Sequence, residues 1–131
     1  MEEIKIQVEV KPTEDLTKVK QAIENIFVGL NFKETQRNER NLLIAFGEGS
    51  SILAKFVHIL KREKIRDAAR KILYQGTTGN TITFFLNKQV AYAGHISFCE
   101  PAGESPLGPI RVQILTENPR KLIERLASKT R

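Results

Sequence analysis

Residues Ile4–Val10, IKIQVEV, alternate branched apolar side chains with polar ones along the whole stretch. A period of two puts the apolar side chains on one face of a β-strand and the polar ones on the other, which predicts a half-buried strand. Pro12 ends the strand, and Thr13 is placed to cap a helix whose first turn would hold Glu14 and Asp15. The chain therefore begins with a strand followed by an amphipathic helix.

The rest of the chain repeats these two patterns without strict alternation. Further strands are expected at 30–36, 41–46, 81–86, 93–98 and 110–115, and further helices within 52–73 and from Asn118 onward. The stretch NKQVAYA, 87–93, suits either type of element. The order β-α-β-β-α-α-β-β-β-α predicts a single α+β domain over residues 1–131, with a mainly antiparallel sheet covered by helices.

The helical period changes phase in the middle of the chain. A stripe that includes Phe56 and Leu60 would continue at positions 63 and 64, where the sequence has Glu63 and Lys64. A new apolar stripe opens at Ile65. Two helices with a tight joint, or one kinked helix, would both explain this shift.

Length and composition fit an ordinary globular protein. A chain of 131 residues fits one domain, and the single cysteine, Cys99, cannot form an internal disulfide. The N-terminus is acidic and alternating, unlike a signal peptide, and no apolar run approaches the ~20 residues that span a bilayer. We therefore expect a soluble cytoplasmic protein with no membrane partner.

Positive charge is concentrated in residues 55–71. The chain has a net charge of +6, and this segment holds seven Lys or Arg residues against two acidic ones. Such a surface attracts polyanions. If the segment is helical, one side of it carries Lys55, His58, Arg62 and Arg66. The alternative is an ordinary solvated helix face, with Asp67 and Lys71 as an i,i+4 pair.

Aromatic side chains that stack on bases would strengthen a nucleic-acid function. The stretch AYAGHISF, 91–98, shares a glycine and a final Phe with the aromatic strand of RNA-recognition modules. It lacks the leading basic residue and one of the key aromatics of that motif. We therefore expect Phe84, Phe85 and Phe98 in the core.

Catalytic and nucleotide motifs do not stand out. FGEGSS, 46–51, lacks the third glycine of the dinucleotide fingerprint and the Gly-Lys-Ser/Thr of a P-loop. His95 and Cys99 would lie about 13 Å apart on a strand, too far for a nucleophile–base hydrogen bond. We predict no catalytic residues, no metal and no cofactor. An enzyme or small-ligand site around His95, Cys99 and Glu104 is the less favoured alternative.

A proline-rich loop connects the last two predicted strands. FCEPAGESPLGPI, 98–110, contains prolines at 101, 106 and 109, which fix φ, and glycines at 103 and 108, which permit positive φ. Such a loop has few conformers and loses little entropy on folding or docking. It serves either stability or contact with a partner.

Several stretches resemble a small archaeal family of uncharacterised proteins. The resemblance covers nearly the whole chain, and it is carried by 8–23, 62–71, 79–100 and ESPLGPI at 104–110. This family is similar to a wider group of predicted RNA-binding proteins, one branch of which has been linked by prediction to the archaeal exosome. The resemblance implies the α+β fold of the large-subunit ribosomal protein that binds 5S rRNA. It implies no particular site residues.

Charge and resemblance together predict a non-enzymatic RNA-binding module. Phosphate contacts are expected from Lys55, Lys61, Arg62, Lys64, Arg66, Arg70 and Lys71. Further contacts to bases or sugars are expected from Asn87, Lys88, Gln89 and Ser105. The alternative function is a protein-interaction module, a homodimer formed through the loop 100–109 or an edge strand.

Overall fold

The computed structural model describes residues 2–100 and 108–128, apart from the side chain of Ser50. The strands are β1 Glu3–Val10, β2 Asn31–Arg37, β3 Arg40–Glu48, β4 Thr77–Thr78, β5 Thr81–Asn87 and β6 Pro109–Leu115. The helices are α1 Leu16–Glu24, α2 Ala54–Arg62, α3 Arg66–Gln75, α4 Lys88–Tyr92 and α5 Pro119–Leu126, with a 3₁₀ turn at Ser50–Leu53 before α2. Most of the proline-rich loop, 101–107, lies outside the described residues, so its predicted stiffness stays a prediction.

The strand that opens the chain lies inside the sheet. The strand order is β2-β3-β1-β6-β5-β4, and each neighbouring pair is antiparallel. Ile4, Ile6 and Val8 are buried while Lys5 between them is exposed, as the alternation predicts. The predicted α+β class with an antiparallel sheet and covering helices is confirmed.

One face of the sheet packs on the helices through a cluster of aromatic rings. The ring of Phe56 in α2 stacks on Phe84 of β5 and on Phe27, with centroids 5.5 and 5.6 Å apart. Phe98 meets the Phe56 ring edge-on at 6.5 Å. These contacts join α2 to the sheet and make Phe56, which is fully buried, the centre of the core.

The other face of the sheet, called here the outer face, is exposed or half-buried. Lys5 of β1 is directly opposite Phe46 and Gln113, and residues opposite one another share a face. Phe85 also lies on this face, directly opposite Arg111 of β6. The prediction that Phe85 is in the core is wrong, because Phe85 follows the buried Phe84 and alternation turns it away.

The segment 87–98 contains a helix where a strand was predicted. Asn87 ends β5, and its side chain accepts a hydrogen bond from the Val90 amide at 3.0 Å, which caps α4. Gly94, with φ of +87°, ends the helix. The predicted strand at 93–98 is therefore wrong, and only Phe98 bridges to β5. The sheet still has six strands, because the short strand β4, which was not predicted, lies in a stretch that the sequence marks as a turn.

The phase shift after residue 60 is a joint between two helices. Lys64 adopts φ of +57°, and the Ile65 amide donates to the Leu60 carbonyl at 3.1 Å while the Lys64 amide donates to Lys61 at 3.2 Å. This pair of bonds is the Schellman pattern, which ends a helix with one left-handed residue. The tight joint is confirmed, and the single kinked helix is wrong.

The first helix begins two residues later than predicted. The cap is Asp15, whose carboxylate accepts a hydrogen bond from the Thr17 amide at 2.9 Å, and α1 starts at Leu16. Thr13 lies outside the helix.

Candidate nucleic-acid interface

A groove of about 360 Å³ runs between α2 and α4 on the helical side of the molecule. We call it the α2–α4 groove. Its polar and aromatic lining comes from Asn25, Lys55, His58, Arg62, Tyr92 and Gly94. Basic side chains therefore lie on one wall and an aromatic side chain on the other.

The basic wall follows from the spacing of residues on α2. Lys55, His58 and Arg62 are three and four residues apart, so they share a helix face. The Lys55 ammonium donates to the carbonyl of Glu24 at 3.0 Å, and the Arg62 guanidinium donates to that of Gly94 at 3.2 Å. These carbonyls orient the two side chains without neutralising their charge. The predicted basic side is confirmed for these three residues.

The aromatic wall is Tyr92, which stays 47% exposed. Its position is fixed by Asn25, whose side-chain amide donates to the carbonyls of Ala91 and Tyr92 at 3.1 and 3.0 Å. The Gln21 amide donates in turn to the Asn25 side-chain oxygen at 2.7 Å. The end of α4 is thus held by Asn25, the residue that follows α1, and these bonds fix the backbone that carries the Tyr92 side chain.

Glu63 connects the end of α2 to the segment after α4. Its carboxylate lies 2.5 Å from His95 Nδ1 and 3.2 Å from Arg62 Nη2. Burial of the carboxyl acts to raise its pKa, but hydrogen bonds from His95 and Arg62 outweigh this, so the pKa of Glu63 lies below its usual value. Glu63 therefore offsets part of the charge of Arg62 at neutral pH.

Arg66 and Arg70 belong to a different surface, because the joint after α2 changes the helix direction. The Arg66 guanidinium donates to the Ser128 hydroxyl and the Arg70 guanidinium to the Ala127 carbonyl, both at 3.2 Å. Arg70 also pairs with Asp67 at 3.2 Å. Both arginines hold the end of α5 against α3, and the prediction that Arg66 continues the side formed by Arg62 is wrong.

Three lysines of the basic segment are exposed to solvent. The side-chain ammonium groups of Lys61, Lys64 and Lys71 form no hydrogen bond or ion pair with any residue in the described part of the chain. The two acidic residues of the segment are engaged with Arg62, His95 and Arg70. The positive field of residues 55–71 is therefore open to solvent mainly through these lysines.

Two of the candidates around α4, Asn87 and Lys88, have structural roles. Lys88 is only 3% exposed, and its ammonium donates to the Glu9 carbonyl at 2.8 Å and the Glu14 carboxylate at 2.9 Å. A buried and paired ammonium offers little to a ligand, so the described contacts give Lys88 a structural role. Asn87 caps α4, and Gln89 is exposed. Ser105 lies outside the described residues.

Tyr92 was missed by sequence reasoning because it lies in the ambiguous stretch 87–93. The capping residue Asn87 and the terminating Gly94 bracket a short helix, and this signal could have placed Tyr92 on its exposed side.

The alternative site around His95, Cys99 and Glu104 gains no support from the described contacts. His95 pairs with Glu63, and the Cys99 amide donates to the Phe85 carbonyl at 3.0 Å, while Glu104 lies outside the described residues. Within 2–100 and 108–128, no group of three or more His, Cys, Asp or Glu side chains could hold a metal ion. None of the helices in these ranges is long and apolar enough to cross a bilayer.

Known proteins similar to this chain come from archaea. A family model described as RNA binding matches residues 3–116. A UPF0201 protein from Sulfurisphaera tokodaii is 48% identical over 130 residues, which cover 99% of this chain and 90% of the relative. The crystal structure of a UPF0201 protein from Methanococcus jannaschii is 35% identical, with a TM-score of 0.86 over 98% of this chain and 95% of that one.

A more distant structure shares the fold alone. A DUF54 protein from Methanothermobacter thermautotrophicus is 17% identical and superposes with a TM-score of 0.64 over 96% of this chain and 97% of that one. The family match and the closely similar relatives cover nearly the whole sequence. This chain belongs to the archaeal UPF0201 family.

Proposed function

We propose that this chain is a non-enzymatic module that binds single-stranded RNA in the α2–α4 groove. The observation that carries the proposal is that three basic side chains of α2 and the exposed ring of Tyr92 line the same groove. Phosphate oxygens would accept from Lys55 and Arg62, and a base would stack on the Tyr92 ring. Proteins that bind single strands combine these two kinds of contact.

The shape of the groove suits one strand rather than a duplex. Its volume of about 360 Å³ is near the lower end of the range for small-ligand sites, so it accommodates about one nucleotide. An unpaired base exposes its ring face, whereas a base inside a helix is already stacked on its neighbours. Tyr92 therefore selects an unpaired segment.

The exposed lysines of the basic segment add long-range attraction. Lys61 directly precedes Arg62, Lys64 lies two residues after it, and Lys71 is in α3. Exposed cations without partners raise the local concentration of a polyanion and speed its association. The match to a family model described as RNA binding supports the ligand class, while the groove supports the location.

Filter binding of a labelled single-stranded RNA at several salt concentrations tests the proposal. We expect Lys55→Gln combined with Arg62→Gln to reduce affinity by about tenfold or more, because each removes a charge-assisted hydrogen bond. The slope of log K against log salt should become shallower by about 1.4, since each phosphate contact on a single strand contributes about 0.7.

Tyr92→Ala separates stacking from charge. Affinity should fall between about fivefold and a hundredfold, the value of one stacked base, while the salt slope stays unchanged. Lys33→Gln is the matched control, because this exposed lysine lies on the outer face of the sheet. Equal losses for the control and the groove variants would reject the location, and wild-type affinity in the groove variants would reject the mechanism.

Homodimerisation is a second candidate function, favoured by apolar exposure on the outer face. Phe46 of β3 and Leu115 of β6 are 43% and 47% exposed and line one open concavity of about 760 Å³. The two side chains lie on either side of β1, and exposed apolar side chains that line one concavity are typical of protein-binding surfaces. Sedimentation equilibrium should show a dimer that Phe46→Glu dissociates. A monomer at all concentrations would reject this candidate.

A further inference from the structure

We infer that the outer face carries a separate site for one nucleoside phosphate, between the β2–β3 turn and β6. A groove of about 280 Å³ lies there, and we call it the arginine groove. The residues that matter for its chemistry are Gln7, Arg37, Arg40, Phe85 and Arg111. The groove is on the opposite face of the sheet from the α2–α4 groove, so this inference does not depend on the proposed function.

The arginine groove has a large excess of positive charge. Arg37, Arg40 and Arg111 are exposed, and none of their guanidinium groups forms a hydrogen bond or ion pair with a residue among those described. The one carboxylate in its lining is Glu9, which is matched by Lys11 at 3.2 Å. Guanidinium groups bind phosphate through two parallel N–H donors, so three of them around one groove favour a phosphate ligand.

The β2–β3 turn places two of these charges against each other. Arg37 and Arg40 are directly opposite across the hairpin, an arrangement in which like charges destabilise a strand pair. The turn between them is tight, with positive φ at Asn38 and Glu39, so the two strand ends are held close together. A bound phosphate would relieve the repulsion, which is a reason for an anion to bind here.

Phe85 adds a contact that inorganic phosphate does not need. It is half-buried on the outer face and directly opposite Arg111, which lies between it and Gln7 of β1 in the same row of the sheet. An aromatic ring can stack on a base, and a guanidinium and an amide beside the ring can donate hydrogen bonds to the edge of that base. A volume of about 280 Å³ suits one nucleotide.

Isothermal titration of the full chain with AMP tests the assignment, with inorganic phosphate and a single-stranded oligonucleotide as parallel probes. Arg111→Gln and Phe85→Leu should each weaken AMP binding by about tenfold. Phe85→Leu should leave phosphate binding unchanged. The control Arg120→Gln removes an exposed arginine of α5 and should change nothing. Thermal melting shows whether Phe85→Leu is folded, and Arg111→Gln, an exposed site, carries the test if it is not.

The probes distinguish the source of the nucleotide. Binding of both AMP and the oligonucleotide, lost in the two variants, indicates a site for any nucleoside phosphate. Binding of the oligonucleotide alone, lost in the same variants, indicates a nucleotide within a strand. The inference is overturned by equal affinity for AMP and phosphate, by an acidic peptide that competes as well as AMP, by wild-type affinity in both variants, or by no binding of AMP and oligonucleotide. Tyr92→Ala should not affect AMP binding, so failure of the proposed function is seen separately.

Discussion

Replacement of Lys88 by methionine should remove a large fraction of the free energy of unfolding of this protein. The Lys88 side chain is 4% exposed and that of Glu14 is 10% exposed, with 2.9 Å between the ammonium and the carboxylate. Met is similar in length and has no charge, so Lys88→Met leaves the Glu14 carboxylate buried without its cation. Removing one partner of a buried pair costs about 3–5 kcal/mol, out of a total of about 5–15 kcal/mol for a typical domain.

Further contacts of the two residues support a value in that range. The Lys88 ammonium also donates to the Glu9 carbonyl at 2.8 Å, and the Glu14 carboxylate accepts from the Lys11 amide at 3.0 Å. The substitution therefore leaves the Glu9 carbonyl without this donor. The Lys11 amide alone compensates the Glu14 charge only in part.

Urea denaturation followed by circular dichroism measures this effect. With an m-value of about 2 kcal/mol per molar, the midpoint should fall by about 2 M. The double variant Lys88→Met with Glu14→Gln should recover much of the loss, because no charge is then left unpaired. Lys71→Met, at an exposed position, should change stability by less than about 0.5 kcal/mol. A loss below about 1 kcal/mol in Lys88→Met, or simple additivity in the double variant, would refute the reasoning.

Three further predictions concern the backbone and one ion pair. Lys64→Gly should raise the unfolding free energy by about 1 kcal/mol in urea denaturation, because a left-handed φ of +57° costs a residue with a side chain about that much; a decrease would show that the joint is not strained. Glu39→Gly should stabilise by a similar amount, since the hairpin turn Asn38–Glu39 has positive φ at both positions; an unchanged urea midpoint would contradict this. Because the pKa of Glu63 is lowered, its pairing with His95 and Arg62 contributes stability above the usual carboxyl pKa, and this contribution is lost as pH falls through the lowered pKa. The melting temperature should therefore depend less on pH in Glu63→Gln than in the wild type. Identical pH profiles of the two proteins would contradict the pairing.

The sheet could be predicted from the sequence because its central strands alternate strongly. The buried residues of β1, such as Ile6, and those of β6, such as Val112, lie at every second position, and the register follows the same alternation. The helix joint could be predicted for a similar reason, since Glu63 and Lys64 interrupt the apolar stripe where α2 ends.

Two predictions about the sheet were wrong, one because a local hydrogen bond starts a helix and one because of strand alternation. The stretch 93–98 contains apolar residues at strand spacing, but the Asn87 cap starts a helix and Gly94 ends it before a strand can form. Phe85 was expected in the core because it is aromatic, whereas alternation with the buried Phe84 turns it to the outer face, where it lies beside Arg111. Neither outcome is decided by the composition of a short window.

The position of the basic segment could be predicted from the sequence, but the contacts that individual cations make could not. Residues 55–71 are basic and exposed in part, as expected, yet Arg66 and Arg70 hold α5 and Lys88 lies inside the fold. Whether a cation faces solvent or a carbonyl depends on which elements pack together, and those contacts join residues far apart in sequence. For the same reason the α2–α4 groove, which joins Arg62 to Gly94, had no sequence signal of its own.

In the proposed complex, RNA lies in the α2–α4 groove with a base stacked on Tyr92. Photocrosslinking of a 4-thiouridine-containing single-stranded RNA to the full chain, followed by mass spectrometry of the peptides, tests it most directly. We expect Tyr92 to be a principal crosslinked residue and the crosslink to disappear in Lys55→Gln combined with Arg62→Gln. Crosslinks found at other surfaces with none at Tyr92 or on α2 would contradict it.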